Sequence, residues 1–121
     1  MTIATTDIKV RIITRAADDM KAEEVKVLDL RGISTFTDYF ILASAQSRNQ
    51  FRAVVREIRK RLSDAGLPSP RTDGEDSERW VVLDLGDVVV HLFDPPTRSH
   101  YNLEALWGDA HTLDTAAFLT A

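Results

Sequence analysis

Two apolar runs, Trp80–Leu85 and Val88–Phe93, flank the dipeptide Gly86-Asp87. Alternating hydrophobics around a two-residue Gly-X loop predict an antiparallel hairpin, because glycine tolerates the positive φ that such a loop demands. In that register Leu85 pairs with Val88, Leu83 with Val90 and Val81 with Leu92, giving one aliphatic face that must be buried. The opposite face carries Trp80, Val82, Asp84, Val89, His91 and Phe93. It is too apolar to stand bare in water and too polar for a sealed core, so something should cover part of it.

The same periodicities organise the rest of the chain. Thr5 or Thr6 can cap a first helix running to about Lys21, with Ile8, Ile12, Ile13, Ala16, Ala17 and Met20 as its apolar stripe. Val25–Leu30 and Tyr39–Ser44 have the length and β-branched or aromatic content of strands. Ser47 and Gln50 form a capping box for a second helix, whose stripe is Phe51, Val54, Val55, Ile58 and Leu62. Gly66 ends that helix, with Leu67 and Pro68 behind it. The polar stretch from Ser69 to Arg79 reads as a flexible loop, and Asp94-Pro95-Pro96 as a sharp turn into a short helix over Asn102–Trp107. Residues 1–110 then form a single α/β domain, a mixed sheet with helices mainly on one face. Residues 111–121 read as a loosely ordered tail with weak helical character over Thr115–Leu119.

Composition narrows the function. The chain has 121 residues, room for one domain, and no window approaching the ~18 consecutive apolar residues of a membrane span. It contains no cysteine, which removes disulfides and thiolate metal sites, and its first residues lack the basic and apolar regions of a secretory signal. A cytoplasmic protein is expected. The net charge of −4 disfavours direct nucleic-acid binding and suits a basic protein partner, with Arg52, Arg56, Arg59, Lys60 and Arg61 read as a solvated helix face.

Catalytic chemistry finds little support. His91 lies opposite Val82 and diagonal to Asp84, but no serine, cysteine or lysine is placed beside it, which favours a structural or partner-contacting imidazole. His91, His100 and His111 lack metal-ligand spacing. Asp84 and Asp87, three apart, point to opposite faces of a strand, and Asp87 is better explained as a turn residue than as a magnesium ligand. The five glycines stand apart and form no phosphate-binding loop. No catalytic, cofactor or metal residue is therefore expected. Trp107, behind Leu103 at helical spacing, reads as a core anchor, while Trp80 on the mixed hairpin face reads as an interface anchor.

The segment GD-x-VVH-x-F followed by R-x-x-Y-x-LE-x-LW-x-DA, Gly86 through Ala110, resembles the ribosomal silencing factor family, also called Iojap-like proteins. Thr37-Asp38-Tyr39-Phe40 resembles that family's TDYF signature, and the likeness extends from about Lys21 to Ala110. The resemblance implies a nucleotidyltransferase-like topology and a factor without catalytic activity. Such a factor binds the large ribosomal subunit through its fourteenth protein, blocks joining of the small subunit when nutrients fail, and is a homodimer when free. The expected partner-binding residues are Asp38, Tyr39, Trp80, Val82, Asp84, Val89, His91, Phe93, Asp94, Arg98 and Tyr101, with the Trp80/Phe93 face shared by dimer and ribosome. A nucleotidyltransferase-like nucleotide-binding enzyme is the alternative, resting on fold analogy alone.

Overall fold

The structure, a computed structural model, describes residues 2–74, 77, 79–108, 110–113 and 115, with side chains from residue 5 onward. In chain order the elements are α1 (Thr2–Asp19), β1 (Glu23–Asp29), β2 (Tyr39–Ser44), α2 (Arg48–Asp64), β3 (Arg71–Asp73), β4 (Trp80–Asp84), β5 (Val88–Phe93), α3 (Pro95–Tyr101), α4 (Leu103–Leu106) and β6 (His111–Leu113). β2 and β5 carry no charged side chain over six positions each, and every residue of both is buried. Strands of that kind need cover on both faces and neighbours on both edges. They pair in parallel, from Tyr39↔Val88 to Ser44↔Phe93, at the centre of a six-stranded sheet in the order β3-β4-β5-β2-β1-β6. The other pairings are antiparallel.

The hairpin forms in the expected register, with Val81↔Leu92 and Leu83↔Val90 paired and the Leu85 N–H donating to the Val88 carbonyl at 2.9 Å. Gly86, at φ +87°, occupies the first loop position, where an L side chain would be strained. Asp87, beside it, ties α1 to the turn: its carboxylate accepts from Thr6 Oγ1 at 2.7 Å and from Lys9 Nζ at 2.9 Å. Burial alone would raise the Asp87 pKa, but the two donors outweigh it and hold the carboxyl below its ordinary range.

The aliphatic hairpin face joins a core under α1 and α2. Val10, Ile13, Ala16 and Ala17 of α1 meet Phe51, Val54, Val55, Ile58 and Leu62 of α2 over Val27, Ile41, Val90 and Leu92. The α2 stripe is the one its periodicity predicts. The α1 stripe is rotated: Val10 and Thr14 are buried while Ile8 is 46% exposed, with Thr6 and Lys9 held to Asp87 fixing the face by which the helix docks.

Both ends of α2 follow from local chemistry. Ser47 Oγ accepts from the Gln50 N–H at 3.1 Å, and the Gln50 side chain reaches back to the Gln46 N–H at 2.7 Å. At the other end Gly66, at φ +74°, lets Leu67 N–H reach the Leu62 carbonyl and Gly66 N–H reach Ser63, a Schellman closure. Ser47→Ala is expected to cost about 1 kcal/mol, read as a lowered urea midpoint at unchanged slope.

Three elements depart from expectation. Arg71–Asp73, expected within a flexible loop, pairs with β4 as an edge strand, because Thr72 and its neighbours can use the free edge that the hairpin leaves. Asp94-Pro95-Pro96, expected as a turn, opens α3. His111–Leu113, expected within a loosely ordered tail, pairs with Val27–Asp29 as β6, and of the helical stretch expected over Thr115–Leu119 all but Thr115 lies outside the described residues. The long helices lie on one face as expected, but α3 and α4 cover part of the other.

Candidate functional site

The second face of the sheet is built by the residues after β5. Asp94 is the N-cap of α3, its Oδ1 accepting from Thr97 N–H at 2.9 Å, and Pro95 and Pro96 fill the first helical positions, where a missing N–H costs nothing. Asn102 then takes a left-handed conformation at φ 46°, which Asn tolerates better than most residues. It closes α3 through its N–H to the Arg98 carbonyl and caps α4 by accepting from Ala105 N–H at 3.3 Å. That double use packs Leu103 and Trp107 back onto the sheet, over Leu28, Leu30, Phe40, Leu42, Val89 and Phe93.

A continuous run of rings crosses this layer. Phe36 meets Trp107 at 6.3 Å between centroids, Trp107 meets Phe40 at 5.7 Å, Phe40 meets His91 at 4.6 Å, His91 meets Trp80 at 5.9 Å and Trp80 meets Tyr101 at 4.7 Å. The ends face solvent, Phe36 being 65% and Tyr101 52% exposed, whereas Phe40 and His91 in the middle are buried. Leu106, beside Trp107, is 71% exposed. Apolar exposure of this kind around half-buried indoles is the usual make-up of a protein-binding patch.

His91 is fixed by this packing. Its Nδ1 accepts from the Trp80 indole N–H at 3.2 Å, and burial pushes its pKa down to about 4, so the ring is neutral at pH 7. The His-carboxylate pair with Asp84 conceivable from spacing does not form. Asp84 Oδ1 instead accepts from the Gly86 N–H at 2.8 Å and shapes the turn.

Of the residues expected to bind a partner, Trp80, Val82, Asp84, Asp94 and Tyr101 lie on or near this surface with at least partial exposure. Val89, His91, Phe93 and Arg98 are buried, Phe93 to 1%, because α3 and α4 cover the strand face that the hairpin alone would leave open. In place of the expected exposed Trp80/Phe93 patch there is a half-buried Trp80 beside an exposed Tyr101, over a buried Phe93. Tyr39 is buried on the α1 side of the sheet, with the Arg31 guanidinium 5.1 Å from its ring centre, and Asp38 is held by its backbone N–H to the Asp87 carbonyl. Arg98 donates through Nη1 to Ser44 Oγ at 2.9 Å and lies 3.5 Å from Glu104. Phe36, Leu106 and Ile33 were not among the expected residues. For Phe36 a signal existed, an aromatic flanked by Thr35 and Thr37 in a loop with no stripe to join.

The model of the family described as "Ribosomal silencing factor during starvation" matches residues 3–120 of the chain. The chain belongs to the ribosomal silencing factor family. Within it, the chain is 45% identical over 104 residues to the ribosomal silencing factor RsfS of Bacillus subtilis, which covers 86% of this chain and 88% of the relative. The fold matches a crystal structure of a Chromobacterium violaceum protein with a TM-score of 0.79 at 32% identity, covering 84% of each chain. A second crystal structure, from Bacillus halodurans, matches with a TM-score of 0.74 at 40% identity, covering 85% of this chain and 93% of that one. Ribosome association and translation regulation are the setting that the family's name gives. No helix among the described residues is long and apolar enough to cross a membrane.

Proposed function

We propose that this protein binds the large ribosomal subunit through its fourteenth ribosomal protein and sterically blocks joining of the small subunit, repressing translation in the cytoplasm when nutrients are limiting. Membership of the silencing factor family carries the reading. The exposed rings of Phe36 and Tyr101, with Leu106 and the half-buried indoles, supply the contact, and Trp80 and Trp107 anchor it from below. The net charge of −4 favours approach to a basic ribosomal protein, with Asp38 and Asp84 at the partly exposed margin. Blockade of this kind needs occupancy and no bond-making step, so no cofactor takes part. The free protein pairs with a second copy through the same apolar surface, and the ribosome competes for it.

Co-sedimentation with purified large subunits in the absence of nucleotide tests the binding, and light scattering on mixed subunits tests the blockade. The expected result is stoichiometric pelleting, cross-links confined to the fourteenth protein and its neighbours, and slower formation of the joined ribosome. Pelleting with small subunits alone, or binding that requires a nucleotide and magnesium, would reject the reading.

A further inference from the structure

The two central strands run parallel, yet the helices that follow them leave on opposite faces: α2 after β2 packs with α1, and α3 after β5 packs with α4. Where adjacent parallel strands send their chains apart in this way, a crevice opens at their carboxyl ends, the usual place for a ligand in an open α/β sheet. Here it is a cleft of about 450 Å³. Ser44, the last residue of β2, and Arg98 of α3 line it, together with Glu23, Glu24, Ser99 and Glu104.

The guanidinium in this cleft is only half used. Arg98 is 6% exposed, and while Nη1 donates to Ser44 Oγ at 2.9 Å, Nε and Nη2 are buried without a hydrogen bond. Glu104 Oε1 lies 3.5 Å from Nε, close enough for an ion pair, but it too makes no hydrogen bond, and Lys26 draws the other oxygen from 3.8 Å away. Buried charged donors without acceptors are unfavourable. The Nε–Nη2 edge of a guanidinium is a planar fork that fits a carboxylate through two parallel hydrogen bonds.

The charges around that edge narrow the ligand further. Glu23, Glu24 and Glu104 share the cleft, and Glu23 is held there by Gln46 Nε2 at 2.6 Å. Glu24 sits at φ 48° where β1 bulges out of register with β2 between Glu23 and Lys26. A doubly charged phosphate on Arg98 would meet three carboxylates. A carboxylate that carries its own ammonium nearby would meet one fork and several acceptors.

We propose that this cleft binds a small zwitterion of the α-amino-acid type, its carboxylate displacing Glu104 from the Nε–Nη2 edge of Arg98 and its ammonium held among Glu23, Glu24 and the released Glu104. The site lies apart from the aromatic surface and does not depend on ribosome binding.

Nuclear magnetic resonance titration of the full ¹⁵N-labelled chain tests it, with L-amino acids supplied singly and with acetate, methylammonium and inorganic phosphate as probes. At least one amino acid should shift the Arg98 Nε–H and the amides of Ser44 and Ser99 to saturation, with acetate and phosphate roughly tenfold weaker or more. Glu24→Gln, at an exposed rim position, should weaken the amino acid while leaving acetate unchanged. Arg98→Lys should abolish both responses, and if it fails to fold the Glu24→Gln comparison still decides. No shift of the Arg98 Nε–H with any amino acid would overturn the proposal, as would tighter binding of phosphate or an equal loss of amino acid and acetate in Glu24→Gln.

Discussion

Phe93→Ala is expected to lower the unfolding free energy by about 3–5 kcal/mol, the usual cost of removing a buried phenyl ring and leaving its cavity. The ring is 1% exposed and packs 5.0 Å from Trp80 and 5.9 Å from His91, so neither neighbour can relax into the space without breaking the indole–imidazole hydrogen bond. Phe36→Ala is the opposite case. With 65% of that residue exposed, stability should change by no more than about 0.5 kcal/mol while large-subunit binding weakens about tenfold or more. Urea unfolding and co-sedimentation on the same two variants separate core from contact surface. A Phe93→Ala protein that folds normally but no longer pellets with large subunits would put Phe93 back in the interface.

The second large effect is acid destabilisation through His91. In the unfolded chain the imidazole titrates near 6.5, whereas burial lowers it to about 4 in the fold. The unfolded state therefore takes up a proton first, so the stability tied to the neutral ring is complete above pH 6.5 and drains away as the pH falls toward 4. At about 1.4 kcal/mol per unit, the loss across that window is about 3 kcal/mol. His91→Gln removes the titration, so the wild-type advantage over the variant should shrink as the pH drops from 7 to 4. A difference between the two proteins that stays constant with pH would rule out His91 as the titrating group. Asp87, whose pKa is lowered, adds its own loss only at lower pH, below the ordinary carboxyl range.

These two residues also show where sequence was readable and where it was not. The hairpin register, the α2 stripe and both α2 caps follow from patterns that close within a few residues, so Val81↔Leu92 and Ser47–Gln50 could be read directly. The mixed face of the hairpin could be listed residue by residue, but whether Phe93 met water or Leu103 depended on a helix ten residues away. The spacing over Asn102–Trp107 showed a helix there, but α3 ahead of it was hidden by Asp94-Pro95-Pro96, a sequence that stops a strand and starts a helix with equal ease. The edge strands β3 and β6 have only three residues each, too short for a period-2 pattern to register, and they exist because β4 and β1 offer unpaired backbone. Phe36 escaped for the converse reason. Apolar residues that belong to no stripe carry no periodic signal, although their exposure is what gives them a candidate role.

The parallel pairing of β2 with β5 also sets the order in which the chain can fold. Tyr39 and Val88 are partners although 49 positions separate them, and every route to the central sheet must close that span. The β1–β2 and β4–β5 hairpins and α2 can form from local contacts, but none of them buries both faces of a central strand. A growing polypeptide that has not yet emerged past Phe93 therefore holds the Tyr39–Ser44 segment with one edge unpaired, exposed to aggregation and to proteases. Folding becomes cooperative only when the last third of the chain arrives, so His91, Tyr101 and Trp107 of the aromatic surface are among the residues that complete the domain, and they reach Phe36 and Phe40 last.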